Sequence, residues 1–375
     1  MRKNYLKLFA SVLFLTIIIA SCNQILNPGQ GGGGPRGGGG GGPRGGGGNH
    51  GGGGGPRGGG GGISNENGSD PNDFFDMTAY SGQIIRDITY ATGVKTYQGT
   101  VENLNLDIYM PENPTAGKKY PLVLFAHGGG FLVGDKKTSK GFCAGYANSG
   151  YVAATINYRL GWEKDRTVLC SGDSLEAKQA IYRAIQDARA ALRFLVHHAN
   201  EYSIDTNWIF ITGPSAGGAI TMQTTYLTQE SADGFLPGAR SSLGYLDKSG
   251  NNLTDKFTIK GCANLWGGIG DIQLINSSTA VPCICYHGMK DLVSPFEYNN
   301  MYTCELFLKI YGSKAIYDRL KSLGVPTIAH IDPMGGHGVY GQNFILENTI
   351  CFFNKIVQKQ KIESQYLTTE VSSCK

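Results

Sequence analysis

An α/β fold with a mostly parallel central sheet, covered by helices on both faces, is the class that this sequence predicts. Apolar strand runs such as YPLVLFAHGGGF (120–131) and WIFIT (208–212) alternate with a periodic helical segment at 174–200 and with further helix candidates. Continuous apolar runs are typical of strands that are buried on both faces, as in parallel sheets. Alternation of strands and helices along the chain favours strand–helix units joined in series.

The individual elements are predicted in chain order from these patterns. Strands, with the turns that close them, are predicted at 83–92, 104–114, 120–131, 151–160, 208–212, 262–268, 282–288 and 326–333. Helices are predicted at 174–200, 216–227 and 343–358. Residues 228–260 are polar, contain glycine and show no strong period. We therefore predict an insertion over the site at 228–260, with a lid as one candidate role.

The beginning of the chain is predicted to be a targeting segment that is not part of the fold. Basic residues at Arg2, Lys3 and Lys7 precede an apolar run at 8–20, which is typical of a secretory signal peptide. An uncleaved anchor helix is the alternative, although a transmembrane helix needs about 20 apolar residues.

The end of this segment, IASC at 19–22, resembles the lipobox of bacterial lipoproteins. That resemblance implies a signal peptide at 1–21 and a lipid anchor on Cys22. More than one acyl chain on Cys22 would anchor the protein stably in a membrane. The expected location is therefore that of an exported bacterial lipoprotein, held at the periplasmic side of a membrane or at the cell surface.

A glycine-rich stretch at 31–62 is predicted to be disordered. Glycine accounts for 24 of its 32 residues, and apolar side chains that could be buried are lacking. Such a chain behaves as a flexible coil. The predicted organisation is therefore a signal peptide, a lipidated and disordered linker at 22–73, and a folded domain at 74–375.

The formal net charge of +4 comes from the N-terminal segments. Without the three basic residues of the leader and the three of the linker, 27 basic residues face 29 acidic ones from residue 63 onward. The folded domain is therefore close to −2. This balance argues against nucleic acid as a partner.

Eight cysteines remain once Cys22 is set aside. An even number in an exported chain permits disulfides, but spacing does not select among the pairings. Cys283 and Cys285 share one face of a predicted strand, so we expect buried core residues there. The sequence contains no CxxC, no zinc-type spacing and no HExxH motif, so we expect neither a metal nor a cofactor.

Four motifs follow predicted strands in an informative order. HGGGF (127–131) and GPSAGG (213–218) come first, and HGMKD (287–291) and GGHG (335–338) follow later strands. In open parallel sheets, chemistry lies beyond the carboxyl ends of the strands. The motifs place Ser215, Asp291 and His337 in the order Ser…Asp…His.

This order and these motifs resemble the α/β-hydrolases of the esterase and lipase group. LNLDIYMP, PLVLFAHGGGF, NYRL, DARAALRFL and GPSAGG match the layout of bacterial carboxylesterases and of feruloyl and acetyl-xylan esterases with an HGGG oxyanion loop. The similarity extends over about 83–358. Pro214 is a departure, because relatives of hormone-sensitive lipase usually carry aspartate there. The resemblance implies the α/β-hydrolase fold and a serine esterase activity.

The chemistry assigns a role to each motif residue. A serine hydroxyl needs a base to become a nucleophile, and His337 would be that base for Ser215. Asp291 would orient the imidazole and stabilise its positive form. The developing oxyanion needs backbone N–H donors, which Ala216 and the glycine loop at Gly129 and Gly130 would supply.

The sequence contains other histidines and another aspartate near the same motifs. His330 is the alternative base, and Asp332 is the alternative acid. His127 is expected to shape the glycine loop, and His197 and His198 are expected to lie on a helix surface.

The expected function is hydrolysis of carboxylic esters through an acyl-enzyme intermediate. Acetyl or feruloyl esters of polysaccharides are the expected substrates, by analogy and location. A serine peptidase is one alternative, although such relatives usually carry a large extra domain. A non-catalytic surface-binding protein on the same fold is the other, although such relatives typically lose one of the three site residues.

Overall fold

A computed structural model describes residues 80–165 and 168–374 of the 375-residue chain. The predicted signal peptide, the Cys22 anchor and the glycine-rich linker lie outside the described residues. Within those ranges, helices that are both long and apolar enough to cross a membrane are lacking.

A nine-stranded sheet forms the centre of the described part of the chain, and a two-stranded hairpin lies apart from it. The strands are β1 (Ile84–Lys95), β2 (Val101–Tyr109), β3 (Tyr120–Ala126), β4 (Val152–Ile156), β5 (Ile204–Pro214), β6 (Ile259–Leu265), β7 (Cys283–Gly288), β8 (Tyr298–Asn300), β9 (Lys309–Tyr311), β10 (Thr327–Asp332) and β11 (Gln365–Leu367). The large sheet has the order β1-β2-β4-β3-β5-β6-β7-β10-β11. Only the β1–β2 and β2–β4 pairs of this sheet are antiparallel. The predicted, mostly parallel sheet is confirmed.

Seven α-helices are present in the described ranges. They are α1 (Lys140–Asn148), α2 (Ser174–His197), α3 (Ala216–Tyr226), α4 (Gln229–Phe235), α5 (Ala239–Leu243), α6 (Ser313–Ser322) and α7 (Gln342–Val357). Helices α1 and α7 pack on one face of the sheet, and α2, α3 and α6 pack on the other. The prediction of helices on both faces is therefore confirmed.

The central strands are buried because their side chains pack into two apolar layers, one on each face of the sheet. In β3, Leu122 and Leu124 pack into the cluster that contains α2 and α3. Val123 and Phe125 pack into the cluster that contains α1 and α7. Successive strand residues point to opposite faces, so a continuous apolar run supplies both layers.

Helix α1 lies outside the predicted elements, because glycine accounts for two of its nine residues. These glycines permit close packing on α7. A Cβ on Gly145 would collide with Leu346, and a Cβ on Gly141 would lie 2.7 Å from the Gln342 amide. Close helix–helix packing therefore outweighs a helix propensity about 1 kcal/mol below that of alanine.

Helix α6 also lies outside the predicted elements, and the other differences concern ends and short elements. The helix predicted at 174–200 begins at the predicted residue, Ser174, because the Asp173 side chain accepts hydrogen bonds from the N–H groups of the first turn. It ends at His197, and β5 then begins at Ile204, before the apolar run at 208–212. Strands β8, β9 and β11 have three residues each, too few for a visible alternation.

The segment at 228–260 contains α4, α5 and an extended stretch that leads into β6. Gln186 of α2 donates to carbonyl oxygens of this segment, and Arg189 forms an ion pair with Asp247. A cavity of about 670 Å³ opens between the segment and α2, and its lining does not include Ser215. The segment thus lies along α2, and a lid role stays a prediction.

Two disulfides form among the eight cysteines of the folded part. They join Cys170 to Cys304 and Cys351 to Cys374. The expectation that Cys283 and Cys285 are buried core residues is confirmed, since their sulfurs lie 3.7 Å apart and are not bonded. The other free and buried cysteines are Cys143 and Cys262.

Candidate active site

Ser215, Asp291 and His337 meet at one edge of the sheet. Ser215 directly follows β5, Asp291 lies three residues after β7, and His337 lies five residues after β10. Strands β5, β6, β7 and β10 are neighbours and run parallel, so their carboxyl ends reach the same edge. The structure thus brings together the three side chains that the motifs single out.

The turn between β5 and α3 holds Ser215 in a rare backbone conformation. Its φ is 56° and its ψ is −116°, and such conformations cost about 1–3 kcal/mol. Glycines on both sides make the turn possible, because a Cβ on Gly213 or Gly217 would collide with the carbonyl oxygen of Ala126. This strand–turn–helix geometry leaves Ser215 partly exposed at the start of α3.

His337 bridges the serine and the acid. Its Nε2 lies 2.8 Å from Ser215 Oγ, and its Nδ1 lies 2.8 Å from Asp291 Oδ2. A carboxylate oxygen only accepts hydrogen bonds, so Nδ1 carries a proton and donates it. Nε2 is then free to accept from the serine hydroxyl. This tautomer is the one that a base acting on Ser215 requires.

The Asp291 carboxylate is held on both oxygens. Oδ1 accepts from the N–H groups of Val293 and Ser294 at 2.8 and 2.9 Å, while Oδ2 faces His337. Burial alone would raise the pKa of this carboxyl. The charge of His337 and hydrogen bonds from His287 and His337 outweigh burial and bring the pKa of Asp291 well below its usual value. Asp291 is therefore ionised at neutral pH.

A second histidine, His287, lies beside the Asp291 carboxylate, and the motifs indicate no role for it. It is fully buried in β7, with its Nε2 3.2 Å from Asp291 Oδ2. The one sequence signal is its position in HGMKD, four residues before Asp291. A histidine in a strand can face either side of the sheet, so this spacing alone does not predict the contact.

The glycine loop lies against the Ser215 turn. A Cβ on Gly128 would lie 3.6 Å from Ser215 Cβ, and Gly129 and Gly130 have φ values of +115° and +63°. Within the described ranges, the N–H groups of Gly129, Gly130 and Ala216 donate no hydrogen bond to backbone or side chain. These groups are therefore free to act as donors, Ala216 from the unsatisfied N-terminus of α3.

An aromatic wall supports the glycine loop from the side. Trp162 Nε1 donates to the carbonyl oxygen of Gly130 at 3.0 Å, and its ring packs edge-on against Phe307. These residues line a narrow apolar recess of about 10 Å³. The Cys170–Cys304 disulfide joins the two loops that carry the wall. The position of Gly130 is thus tied to a covalent link between distant segments.

The alternative base and acid have other partners. His330 is buried in β10, where its Nε2 lies 3.1 Å from Ser373 Oγ, and burial lowers its pKa to about 4. Asp332 accepts from a backbone N–H of its own loop. Among the described residues, neither forms a hydrogen bond with Ser215 or His337.

Three further histidines of the described ranges lie where the sequence predicts. His127 Nδ1 donates to the carbonyl oxygen of Gly128 at 2.7 Å, and its buried ring stacks on Tyr158. It therefore shapes the glycine loop from below. His197 and His198, at the end of α2, face nearby surface carboxylates.

Comparisons with known proteins find esterases among the similar sequences and structures. Residues 106–282 match the BD-FAE family. The chain is 32% identical over 114 residues to Esterase LipI of Mycobacterium tuberculosis, which covers 30% of this chain and 31% of that protein. It is 35% identical over 127 residues to Carboxylesterase 3B of Mus musculus, which covers 34% and 21%. The chain thus spans about a third or less of the length of these curated relatives.

A solved structure extends the likeness over most of the chain. The truncated form of a carbohydrate esterase from gut microbiota superposes with a TM-score of 0.52, covering 76% of this chain and 100% of that chain. The two sequences are 18% identical, so this likeness concerns the fold. The described chain has the α/β-hydrolase fold, and its residues 106–282 match the BD-FAE family.

Proposed function

We propose that this chain is a serine ester hydrolase that cleaves carboxylic esters through an acyl-enzyme intermediate. The observation that carries the proposal is the pair of 2.8 Å hydrogen bonds that join Ser215 to His337 and His337 to Asp291. Base catalysis needs an imidazole that donates from Nδ1 to the carboxylate and accepts at Nε2 from the serine hydroxyl, and these two contacts match that need. The esterases among the similar proteins support the same reaction class.

In the first half of the proposed reaction, His337 takes the proton of Ser215 while Oγ attacks the ester carbonyl carbon. The N–H groups of Gly129, Gly130 and Ala216 would stabilise the resulting oxyanion. His337 then gives its proton to the leaving alcohol oxygen as the ester C–O bond breaks. The acyl group stays on Ser215.

In the second half, water replaces the serine as the nucleophile. His337 takes a proton from the water, whose oxygen attacks the acyl carbon. The tetrahedral intermediate collapses, the carboxylic acid leaves, and the proton returns to Ser215 Oγ. Asp291 stabilises the positively charged imidazole in both halves.

We propose acetyl or feruloyl esters on polysaccharides as the substrates. The support is the carbohydrate esterase among the structural neighbours. Acetylated sugars are the first class to test, and feruloylated sugars the second.

The experiment compares wild type with Ser215→Ala on an aryl acetate and on acetylated xylan. Removal of a triad serine is expected to lower turnover by about 10⁴–10⁶-fold. Ser277→Ala, at an exposed serine in a surface loop, should retain wild-type activity. Equal activity in wild type and Ser215→Ala would overturn the assignment.

A covalent probe separates the alternatives. A fluorophosphonate should add its mass to the peptide that contains Ser215 and leave Ser215→Ala unlabelled. A folded protein that is neither labelled nor active would favour the non-catalytic surface-binding alternative. Faster cleavage of an aryl amide than of the matching ester would favour the peptidase.

We propose separately that the mature protein begins at a lipid-modified Cys22 and is exported. The support is the leader sequence and its IASC ending. Mass spectrometry of the N-terminal peptide should find Cys22 with a diacylglycerol thioether and an acylated amine. Cys22→Ser should remain unprocessed. A mature chain that starts at any other residue would contradict this proposal.

A further inference from the structure

A second histidine continues the hydrogen-bonded group from Asp291 into the protein interior. We propose that His287 is a positioning residue, which holds the Asp291 carboxylate toward His337 and ties it to helix α3 through a buried polar chain. The inference rests on the proposed ester hydrolysis and adds three residues to it, Asn264, His287 and Ser313.

The donor and acceptor of each hydrogen bond in this buried polar chain follow from groups that can only donate or only accept. The N–H of Gly267 donates to Asn264 Oδ1 at 3.1 Å, which fixes the orientation of that amide. Asn264 Nδ2 therefore donates to Ser313 Oγ at 3.1 Å. The Ser313 hydroxyl is then able to donate its own proton to His287 Nδ1, 2.8 Å away.

The other ring nitrogen of His287 faces two acceptors that have no proton to give. Its Nε2 lies 2.9 Å from the carbonyl oxygen of Ser294 and 3.2 Å from Asp291 Oδ2. Nε2 must therefore carry a proton, and a neutral ring satisfies both nitrogens. This one tautomer aims an N–H at the same carboxylate oxygen that accepts from His337.

Burial makes these hydrogen bonds strong. Asn264, His287 and Ser313 have no exposed surface, and Asp291 is 6% exposed. Hydrogen bonds to a charged group contribute more in such an environment than at the surface. His287 and His337 both act on the Asp291 carboxylate, through hydrogen bonds and through charge.

Asn264, at the end of this buried polar chain that is farther from Asp291, packs against helix α3, which follows the nucleophile. A Cβ on Gly218 would lie 2.8 Å from Asn264 Oδ1 and 2.9 Å from Gly267 Cα. Gly218 lies in the first turn of α3, three residues after Ser215. Asp291 is thus linked to the nucleophile turn by a path that does not pass through His337. Such a support fixes the spacing of acid and nucleophile while the base moves protons.

Two substitutions separate the roles of the ring nitrogens. The amide of His287→Asn reaches about as far as Nδ1, so it keeps the contact with Ser313 and loses the one with Asp291. The amide of His287→Gln reaches about as far as Nε2 and can still donate to Asp291. We expect kcat to fall about 10- to 100-fold in His287→Asn with KM little changed, the range for a hydrogen bond to a charged group. We expect His287→Gln to recover most of that loss.

Matched controls come from the neighbouring strand. His330→Asn makes the same change at another buried histidine, and should leave kcat within about 3-fold of wild type at temperatures where it is folded. If His287→Asn does not fold, Ser313→Ala and Ser373→Ala carry the test. Each removes the hydroxyl beside one buried histidine, and only Ser313→Ala should lower kcat.

Two readouts distinguish positioning from general destabilisation. In His287→Asn the acid limb of the kcat/KM profile should move to higher pH, because a less hydrogen-bonded Asp291 favours protonated His337 more strongly. In proton NMR, the downfield signal of the His337 Nδ1–H should shift in His287→Asn and not in His330→Asn. The NMR readout needs no turnover, so it tests His287 even if the ester hydrolysis proposal fails.

Three results would overturn the inference. They are wild-type kcat in folded His287→Asn, equal losses in the Asn and Gln variants, and an unchanged His337 signal. Loss of activity in Ser215→Ala alongside any of these would leave the proposed hydrolysis intact.

Discussion

The carbonyl oxygen of Ala126, at the end of β3, lies directly against the backbone of Gly217 in the first turn of α3. A Cβ at residue 217 would collide with that oxygen, and the same oxygen excludes a side chain at Gly213. The central strand therefore supports the Ser215 turn from below. A positive φ at Ser215 persists because both flanks of the turn are packed this closely.

Gly217→Ala should therefore damage the turn. We expect a loss of stability of about 2 kcal/mol or more and at least a 100-fold loss of ester hydrolysis, since the turn must move to admit a methyl group. Gly234→Ala on α4 is the control, because nothing lies within 4 Å of its added Cβ, and it should be neutral or stabilising by up to about 1 kcal/mol. Urea unfolding and aryl acetate assays measure both. A Gly217→Ala protein with wild-type stability and activity would refute the packing argument.

Asp291→Asn should lower kcat by about 10⁴-fold, because an amide in place of the carboxylate favours the wrong tautomer of His337. Asp332→Asn, at the alternative acid, should keep activity within about 3-fold, since Asp332 caps its own loop. Steady-state kinetics on the aryl acetate compare the two. The reverse order of losses would move the acid to Asp332.

Removal of the Cys170–Cys304 disulfide should reduce both stability and activity. The bond closes a loop of 134 residues, for which chain entropy predicts a loss of up to about 5 kcal/mol. The wall that it joins includes Trp162, which donates to Gly130. We therefore expect a lower melting temperature and a lower kcat in the Cys170→Ala/Cys304→Ala double variant.

Cys351→Ala/Cys374→Ala provides the comparison. Its bond spans 23 residues and ties α7 to the C-terminal segment, so it should lower the melting temperature and spare kcat. Equal effects of the two double variants on kcat would show that the wall does not influence the glycine loop.

Burial of His330 predicts acid sensitivity. Burial lowers its native pKa to about 4, from an ordinary value of 6.5. Between these values the unfolded chain binds more protons than the native chain, so stability is fully present above pH 6.5 and falls as pH falls toward 4. His127, whose pKa burial also lowers to about 4, contributes in the same direction.

His330→Gln should therefore make the stability of the protein less dependent on pH. The slope of unfolding free energy against pH between 6.5 and 4 should decrease by up to about 1.4 kcal/mol per pH unit. Urea titrations across this range measure the slope, and the comparison of slopes removes any constant packing loss. An unchanged slope would mean that His330 titrates normally in the folded state.

Much of the fold could be predicted because its signals are local. The β3 run and the periodicity of α2 each reveal an element within one stretch of chain. Ser215, Asp291 and His337 could be expected to meet, since each follows a strand and parallel strands share a carboxyl edge. Helix α1 could not be predicted, because its glycines are explained only by its packing on α7.

Patterns within the sequence predict the fold class, the order of the motifs and the residues that could act as nucleophile, base and acid. The three-dimensional arrangement was needed to show that Asp291 and not Asp332 contacts His337, that His287 contacts the same carboxylate, and that Cys170 pairs with Cys304. Each of these depends on how segments far apart in the chain are brought to within hydrogen-bond or bond distance. That proximity is set by strand register and close packing, which no local pattern of residue types encodes.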